Sequence, residues 1–161
     1  MIEVINTNPH SSDELNKMIE HVAYEIHMFR WAYLMLALQL IKLLLHGNLN
    51  NAILESWVIH LRNLIDFFYA MPQKDDIVAS DYISDWDSIR SQTQKSPLLQ
   101  EATNKANKQL AHLTLARATQ YNDAQKPWEY IKISTEIEKW IALFFEHLSS
   151  EQKAGFKNYG L

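Results

Sequence analysis

The residues that could most readily take part in catalysis are Asn107, Lys108, His112 and Arg117. Lys108 and His112 are four positions apart, so on a helix they lie one turn apart on the same face. A neighbouring cation favours the neutral form of an imidazole, and a neutral imidazole can act as a general base. The alternative is a structural histidine that caps a polar pocket between helices. The spacing alone favours this alternative.

Arg62, Asn63 and Asp66 form a second candidate site. A helix places the guanidinium of Arg62 and the carboxylate of Asp66 one turn apart. An arginine that is held by a carboxylate can bind an anion, so these three residues predict a ligand-binding site. The alternative is a structural ion pair that ties this helix to the following loop, and the pattern favours it.

The histidines do not predict a metal site. His21 and Glu25 share a helix face, whereas His27 points about 200° away from Glu25 at 100° per residue. Two such residues on one helix are common on solvated faces, and a metal needs more ligands. The chain has no cysteine and three glycines, which excludes thiolate metal sites and glycine-rich phosphate loops. We therefore expect no metal and no cofactor.

The composition indicates a helical protein without an obvious nucleic-acid or membrane role. Three glycines and four prolines are too few for the turns of an all-β sandwich. The formal net charge of −4 argues against a protein that coats DNA. The apolar run Trp31–Leu45 is interrupted by Gln39 and Lys42, and a spanning helix needs about 20 apolar residues. Without a recognisable signal sequence, we expect a cytoplasmic protein with no DNA and no membrane partner.

Apolar periodicity and capping signals divide the chain into four long helices. Helix one is predicted to begin at Ser11 or Ser12, where Ser11 and Glu14 form a capping-box pattern, and to end at Gly47 as a left-handed stop. The other three are predicted from Asn50 or Asn51 to Pro72, from Ser96 to about Arg117 and from Pro127 to Leu148, with a last short turn after Ser149. We expect a single all-α domain over residues 1–161, an up-and-down four-helix bundle with a long ordered loop between helices two and three.

That loop, Gln73–Ser96, is far longer than the usual link of about 2–8 residues between helices. It contains five aspartates, but it also contains Tyr82 and Trp86, whereas disordered segments have few aromatic residues. We expect it to be ordered and to pack against helices two and three. Asp81 or Asp85 would then pair with Arg62 and form a lid over the polar end of the bundle. The alternative, equally favoured, is that the aspartates face water.

The stretch from Asn107 to His112 resembles the motif of the HEPN superfamily. In that family an arginine, usually followed by a polar residue, precedes a histidine by four to six positions. His112 matches the histidine, Ala111 matches the small residue often found before it, and Lys108 matches the polar follower. Asn107 stands where the family has its arginine.

The resemblance implies a helical bundle that dimerises with the two motifs facing each other. Many HEPN proteins are metal-independent endoribonucleases in toxin–antitoxin or antiphage systems, where the RNA supplies its own 2′-hydroxyl nucleophile. The histidine moves protons and the arginine stabilises the anionic phosphorane. Carried over, His112 is the catalytic histidine, and Lys108, Arg117 or Arg62 would replace the missing arginine. Asn107 instead indicates a non-catalytic member.

Two functions follow from these patterns. We favour a non-catalytic HEPN-like bundle, or a member of a related uncharacterised bacterial helical family, that acts through self-association or partner binding. The alternative is an endoribonuclease or RNA-binding protein with RNA or an antitoxin as its partner. Helix one, at about 35 residues or roughly 50 Å, would expose apolar surface in a four-helix monomer, and such surfaces mark interfaces. We therefore expect a homodimer.

Overall fold

The computed structural model of the chain describes residues 10–38, 47–71, 75–93, 95–109 and 128–161. These ranges contain seven helices and no strand, which confirms the all-α prediction for the described part of the chain. In chain order the helices are α1 (Ser12–Ala37), α2 (Gly47–Tyr69), α3 (Ala79–Tyr82), α4 (Trp86–Gln92), α5 (Pro97–Gln109), α6 (Tyr130–His147) and α7 (Ser150–Lys157). None of them is both long and apolar enough to cross a membrane.

Helix α1 begins where the capping box predicts. The hydroxyl of Ser11 accepts a hydrogen bond from the Glu14 backbone N–H at 3.3 Å, and the Glu14 carboxylate accepts one from the Ser11 backbone N–H at 2.8 Å. Its inward face packs mainly along α2 and also contacts α6 and α7. The buried residues of this face are Leu15, Ile19, Val22, Ala23, Ile26, Phe29, Ala32 and Leu36.

The predicted boundary between the first two helices is wrong at Gly47. This glycine is the first residue of α2, so it does not end helix one, and α2 begins before the predicted Asn50 or Asn51. Among the described glycines only Gly160 has a positive φ, so Gly47 does not have the left-handed geometry of a helix stop. Glycine is also accepted at helix N-termini, which is why the residue type alone did not settle the boundary. Residues 39–46 lie outside the described ranges.

The segment 75–93 is partly helical rather than a simple loop, because it contains α3 and α4. Its aromatic residues are buried, as predicted: Tyr82 is 7% exposed and Trp86 is 1% exposed. The Tyr82 hydroxyl donates to the Leu15 carbonyl of α1 at 3.0 Å. The Trp86 ring contacts Phe68 of α2 and also two aromatic rings of α6. The contact with α2 was predicted, whereas those with α1 and α6 were not.

Two side chains of this segment cap the C-terminal end of α2. The Trp86 indole N–H donates to the Phe68 carbonyl at 2.9 Å, and the Arg90 guanidinium donates to the Tyr69 carbonyl at 2.7 Å. In a continuing helix the Phe68 carbonyl would accept from the residue four positions on, but that residue is Pro72, which has no N–H. The indole therefore satisfies a carbonyl that the helix itself leaves without a donor.

The predicted lid formed by an aspartate and Arg62 is wrong. The Asp81 carboxylate accepts a hydrogen bond from the Val78 backbone N–H at 2.8 Å, at the start of α3. Asp85 is exposed, and Arg62 lies against Asp66 of its own helix. The capping interaction wins because it is local in sequence, so it orders few additional residues.

The start of helix three and the last turn agree with the sequence signals. The Ser96 hydroxyl accepts from the Leu99 backbone N–H at 3.3 Å, directly before the proline that opens α5. Ser149 and Gln152 form a second capping box at the start of α7. Helix α6 begins at Tyr130, three residues after the predicted Pro127. The predicted end of helix three near Arg117 lies outside the described residues.

Candidate functional site

The residues of the HEPN-like motif lie at the edge of the described structure. Asn107 is an exposed residue of α5. Lys108 belongs to the same helix, but its side chain is outside the described part of the chain, as are His112 and Arg117 altogether. The geometry of a catalytic site built on these four residues is therefore still a prediction.

The second candidate site is only partly assembled. The Arg62 Nε lies 3.7 Å from the Asp66 Oδ2, which is an exposed contact one helical turn apart and too long for a hydrogen bond. Asn63 and Asp66 line a cleft, whereas Arg62 does not. An anion-binding role for Arg62 is still a prediction, and its neighbours belong to a site of different chemistry.

This cleft, which we call the α1–α2 cleft, lies between α1, α2 and the segment before α3 and has a volume of about 550 Å³. Small-molecule sites in proteins typically measure about 300–1,000 Å³. Its apolar lining consists of Met18, Val22, Leu64, Phe67, Ala70, Met71, Ile77 and Val78. Its polar lining consists of His21, Glu25, Asn63, Asp66, Asp75 and Asp76.

Glu25 is held in place by two side chains of α2. The His60 Nδ1 lies 2.7 Å from the Glu25 Oε2, and the Asn63 amide donates to the same oxygen at 3.0 Å. His60 is 8% exposed, so this network fixes the carboxylate from the protein side. No hydrogen bond from another described residue reaches Oε1, so that oxygen can accept from a ligand.

The sequence did not reveal this network. Glu25 was considered only with His21, four positions earlier on the same helix. Its partners His60 and Asn63 are three positions apart on α2, and the sequence shows that they share a helix face. The register of α2 against α1, which brings them to Glu25, is a tertiary property that the spacing within one helix does not contain.

Carboxylates dominate the charge of the α1–α2 cleft. Four of its described lining residues are acidic, namely Glu25, Asp66, Asp75 and Asp76, and none of its described lining residues is lysine or arginine. Burial raises the pKa of Asp66, Arg62 and Lys95 oppose that rise, and the charge of Asp76 adds to it. Nearby cations therefore do not fully compensate the Asp66 carboxylate, and an anionic ligand would be repelled here.

The carboxylates do not amount to a metal centre. Within the described ranges, no group of three or more His, Asp or Glu side chains has the arrangement needed to hold a metal ion. The chemistry that the cleft offers is therefore recognition of positive charge above an apolar surface.

A second surface feature lies on the outer face of α1. Tyr24, Trp31, Leu34 and Leu38, which we call the apolar seam, are 53%, 47%, 47% and 50% exposed. At 100° per residue they fall within an arc of about 80°, away from most of the buried face of α1. The Tyr24 ring also contacts His60 of α2 at 5.7 Å, and exposed His27, within the same arc, lies 2.7 Å from the Tyr159 carbonyl oxygen. Charged residues normally occupy such an outer face, so this seam is an unusual feature of the molecule.

A comparison with protein-family models, with curated proteins and with solved structures finds no match for this chain. The cleft and the seam are therefore interpreted from their own geometry and chemistry.

Proposed function

We propose that the protein is a non-catalytic, HEPN-like up-and-down helical bundle that functions as a homodimer, with the apolar seam of α1 as its interface. The observation that carries this proposal is the exposure of Tyr24, Trp31, Leu34 and Leu38 on one face of a helix. Trp31, Leu34 and Leu38 follow one another at steps of three and four, and exposed His27 lies between them and Tyr24. Clustered exposed apolar side chains mark protein interfaces more often than chance.

The spacing of the seam fits a helical partner. Its residues follow steps of seven, three and four, which is the repeat of the a and d positions of a coiled coil. From Tyr24 to Leu38 the seam is roughly 21 Å long at 1.5 Å per residue. A partner α-helix can contact side chains at this spacing along the whole seam. A flat or irregular partner surface would not favour this particular spacing.

A second copy of the chain provides such a helix. In a twofold dimer the same patch is used on both subunits, so the patch must be complementary to itself. Two antiparallel copies of α1 would place Trp31 near the twofold axis and Tyr24 of each copy near Leu38 of the other. The central position of Trp31 also fits the enrichment of tryptophan among residues that dominate binding energy.

The seam residues can be changed without disturbing the core. Leu34→Lys places a charge within the seam, next to the central Trp31, where burial in a dimer would be costly. Ile131, which is 55% exposed on α6, provides a matched control as Ile131→Lys. Circular dichroism should show the same helix content for both variants and for the parent protein.

Light scattering after gel filtration tests the proposal. At micromolar concentration the parent protein and Ile131→Lys should have twice the chain mass of 18.9 kDa. Leu34→Lys should have the mass of a single chain. A parent protein that is monomeric, or a Leu34→Lys variant that is as dimeric as the control, would refute the assignment of the interface.

A further inference from the structure

We propose that the α1–α2 cleft is a binding site for a small organic cation, with an apolar body on the cleft floor and an ammonium group at Glu25 and Asp66. No residue of the apolar seam lines the cleft, although Tyr24 contacts His60, which binds Glu25. The argument rests on the shape of the cleft, on the placement of its carboxylates and on its apolar floor.

The cleft combines the two surfaces that such a ligand needs. Its apolar lining contains Met18, Phe67 and, at the exposed edge, Met71, together with aliphatic side chains of α1, α2 and the segment before α3. Its polar lining consists of His21, Asn63 and four acidic residues. Ligand sites typically join a mostly apolar wall to a small number of placed polar groups, whereas a solvated acidic surface would lack the floor.

Glu25 is the carboxylate that the protein orients. His60 and Asn63 both bind its Oε2, so the rotamer of Glu25 is fixed before a ligand arrives. Fixing a group in its bound conformation reduces the entropic cost of binding. The oxygen Oε1 has no hydrogen-bond donor among the described residues, and an ammonium group has three N–H donors to offer.

Asp66 is positioned to share the same cation. It is three positions after Asn63 on α2, so the two side chains lie on the same helix face. Asn63 donates to Glu25, and Glu25, Asn63 and Asp66 all line the cleft. The contact of Asp66 with Arg62 at 3.7 Å is loose and exposed, and exposed ion pairs of this kind contribute little.

Burial also raises the pKa of Asp66, although the charges of Arg62 and Lys95 lower it, because desolvation disfavours the ionised carboxylate. A bound ammonium group would favour the ionised form further. The ligand class is therefore a monocation with an aliphatic or aromatic body. A phosphate or a carboxylate is disfavoured, because the carboxylates of Glu25 and Asp66 both line the cleft and none of its described lining residues is lysine or arginine.

Hexylamine and its analogues test the proposal with the complete protein. 1-Hexanol has the same apolar body without charge, and hexanoate has the opposite charge. In amide NMR spectra of ¹⁵N-labelled protein, hexylamine should give saturable shifts at Glu25 and Asn63 and should bind at least about tenfold more tightly than either analogue, the factor that corresponds to about 1.4 kcal/mol.

Three variants assign the effect to the cleft. Glu25→Gln and Asp66→Asn should each weaken hexylamine binding about tenfold, as expected for the loss of a charge-assisted hydrogen bond. Asp85→Asn, at an exposed aspartate that does not line the cleft, should leave it unchanged. Asp66→Asn keeps the test decisive if Glu25→Gln disturbs His60, because no hydrogen bond to another described residue depends on the Asp66 carboxylate.

Several results would overturn the proposal. Equal binding of hexanol or hexanoate would show that charge is not recognised. The absence of saturable shifts up to about 10 mM hexylamine would show that the cleft has no useful affinity. Equal weakening by Asp66→Asn and Asp85→Asn would show a non-specific effect of net charge. Displacement of hexylamine by magnesium chloride at lower concentration would indicate an inorganic ion site instead.

Discussion

Replacing Trp86 by alanine tests whether the segment 75–93 belongs to the core. Trp86 is 1% exposed, its ring contacts Phe68, Trp140 and Phe144, and its indole N–H binds the Phe68 carbonyl at 2.9 Å. The substitution removes an aromatic side chain from a closed environment. It also removes the hydrogen-bond donor of the Phe68 carbonyl, to which Pro72 cannot donate because it has no N–H.

The two losses can be estimated separately. Truncating a buried tryptophan to alanine costs about 3–5 kcal/mol in the free energy of unfolding. A buried carbonyl that loses its donor costs about 1–3 kcal/mol. Trp86→Ala should therefore cost about 5 kcal/mol, a large part of the roughly 5–15 kcal/mol of a typical domain. Trp86→Phe keeps most of the ring contacts and should cost about 1–3 kcal/mol, mainly through the lost hydrogen bond.

Urea unfolding followed by circular dichroism measures the free energy of unfolding of both variants. All proteins are compared at one concentration, because self-association adds to apparent stability. Ile131→Ala is the control, since its side chain is 55% exposed, and it should change stability by no more than about 0.5 kcal/mol. A cost below about 1 kcal/mol for Trp86→Ala would refute the reasoning, because it would mean that α4 is not part of the cooperative core.

Three further predictions follow from local features. Ser11→Ala should cost about 1 kcal/mol in urea unfolding, because it removes the hydroxyl of the α1 capping box, and Ser12→Ala should cost clearly less. Burial raises the pKa of Asp66 above 3.8, so its protonated form stabilises the fold at low pH, and this contribution is lost as the pH rises through the raised pKa. Asp66→Asn should therefore raise the melting temperature at pH 7. The gain should correspond to no more than about 0.5 kcal/mol, since the group is half exposed, and it should vanish below pH 3. A lower melting temperature of the variant at pH 7 would contradict this prediction. Purified protein incubated with RNA in EDTA should show no cleavage above that of His112→Ala, and EDTA-resistant cleavage lost in that variant would establish the ribonuclease alternative.

The helix starts that a serine caps were the most predictable part of the fold. Ser11, Ser96 and Ser149 each accept a hydrogen bond from a backbone N–H three residues later, as their sequence context indicated. A cap of this kind is complete within four residues. The sequence therefore contains all of the information that determines it, and no distant contact can easily override it.

The errors occurred where the sequence offered one residue type for two roles. Gly47 matched a helix stop and became a helix start, because glycine is accepted at either end. The Asp81 carboxylate was predicted to reach Arg62 and instead caps α3. At Gly47 both solutions are local, and only the packed molecule decides between them. At Asp81 the local cap competed with a contact to another helix, and the cap was favoured.

The candidate site was the least predictable part, because it depends on the register between helices. Asn63 and Asp66 were considered with Arg62 as a candidate anion site on their spacing within one helix, although a structural ion pair was favoured. The structure adds Glu25 from α1 and Asp75 and Asp76 from the following segment, and these acidic residues change the sign of the charge that the site prefers. No pattern within α2 carries this information.

The aromatic anchors and the cleft are physically connected. The segment that forms one wall of the α1–α2 cleft, residues 75–78, leads directly into α3 and α4. Tyr82 fixes α3 to the Leu15 carbonyl of α1, and Trp86 fixes α4 to the Phe68 carbonyl of α2. The wall is therefore held against the same two helices that supply Glu25 and Asp66. A ligand that bridges wall and helices would stabilise these anchors in turn, because binding to the folded state alone raises its stability.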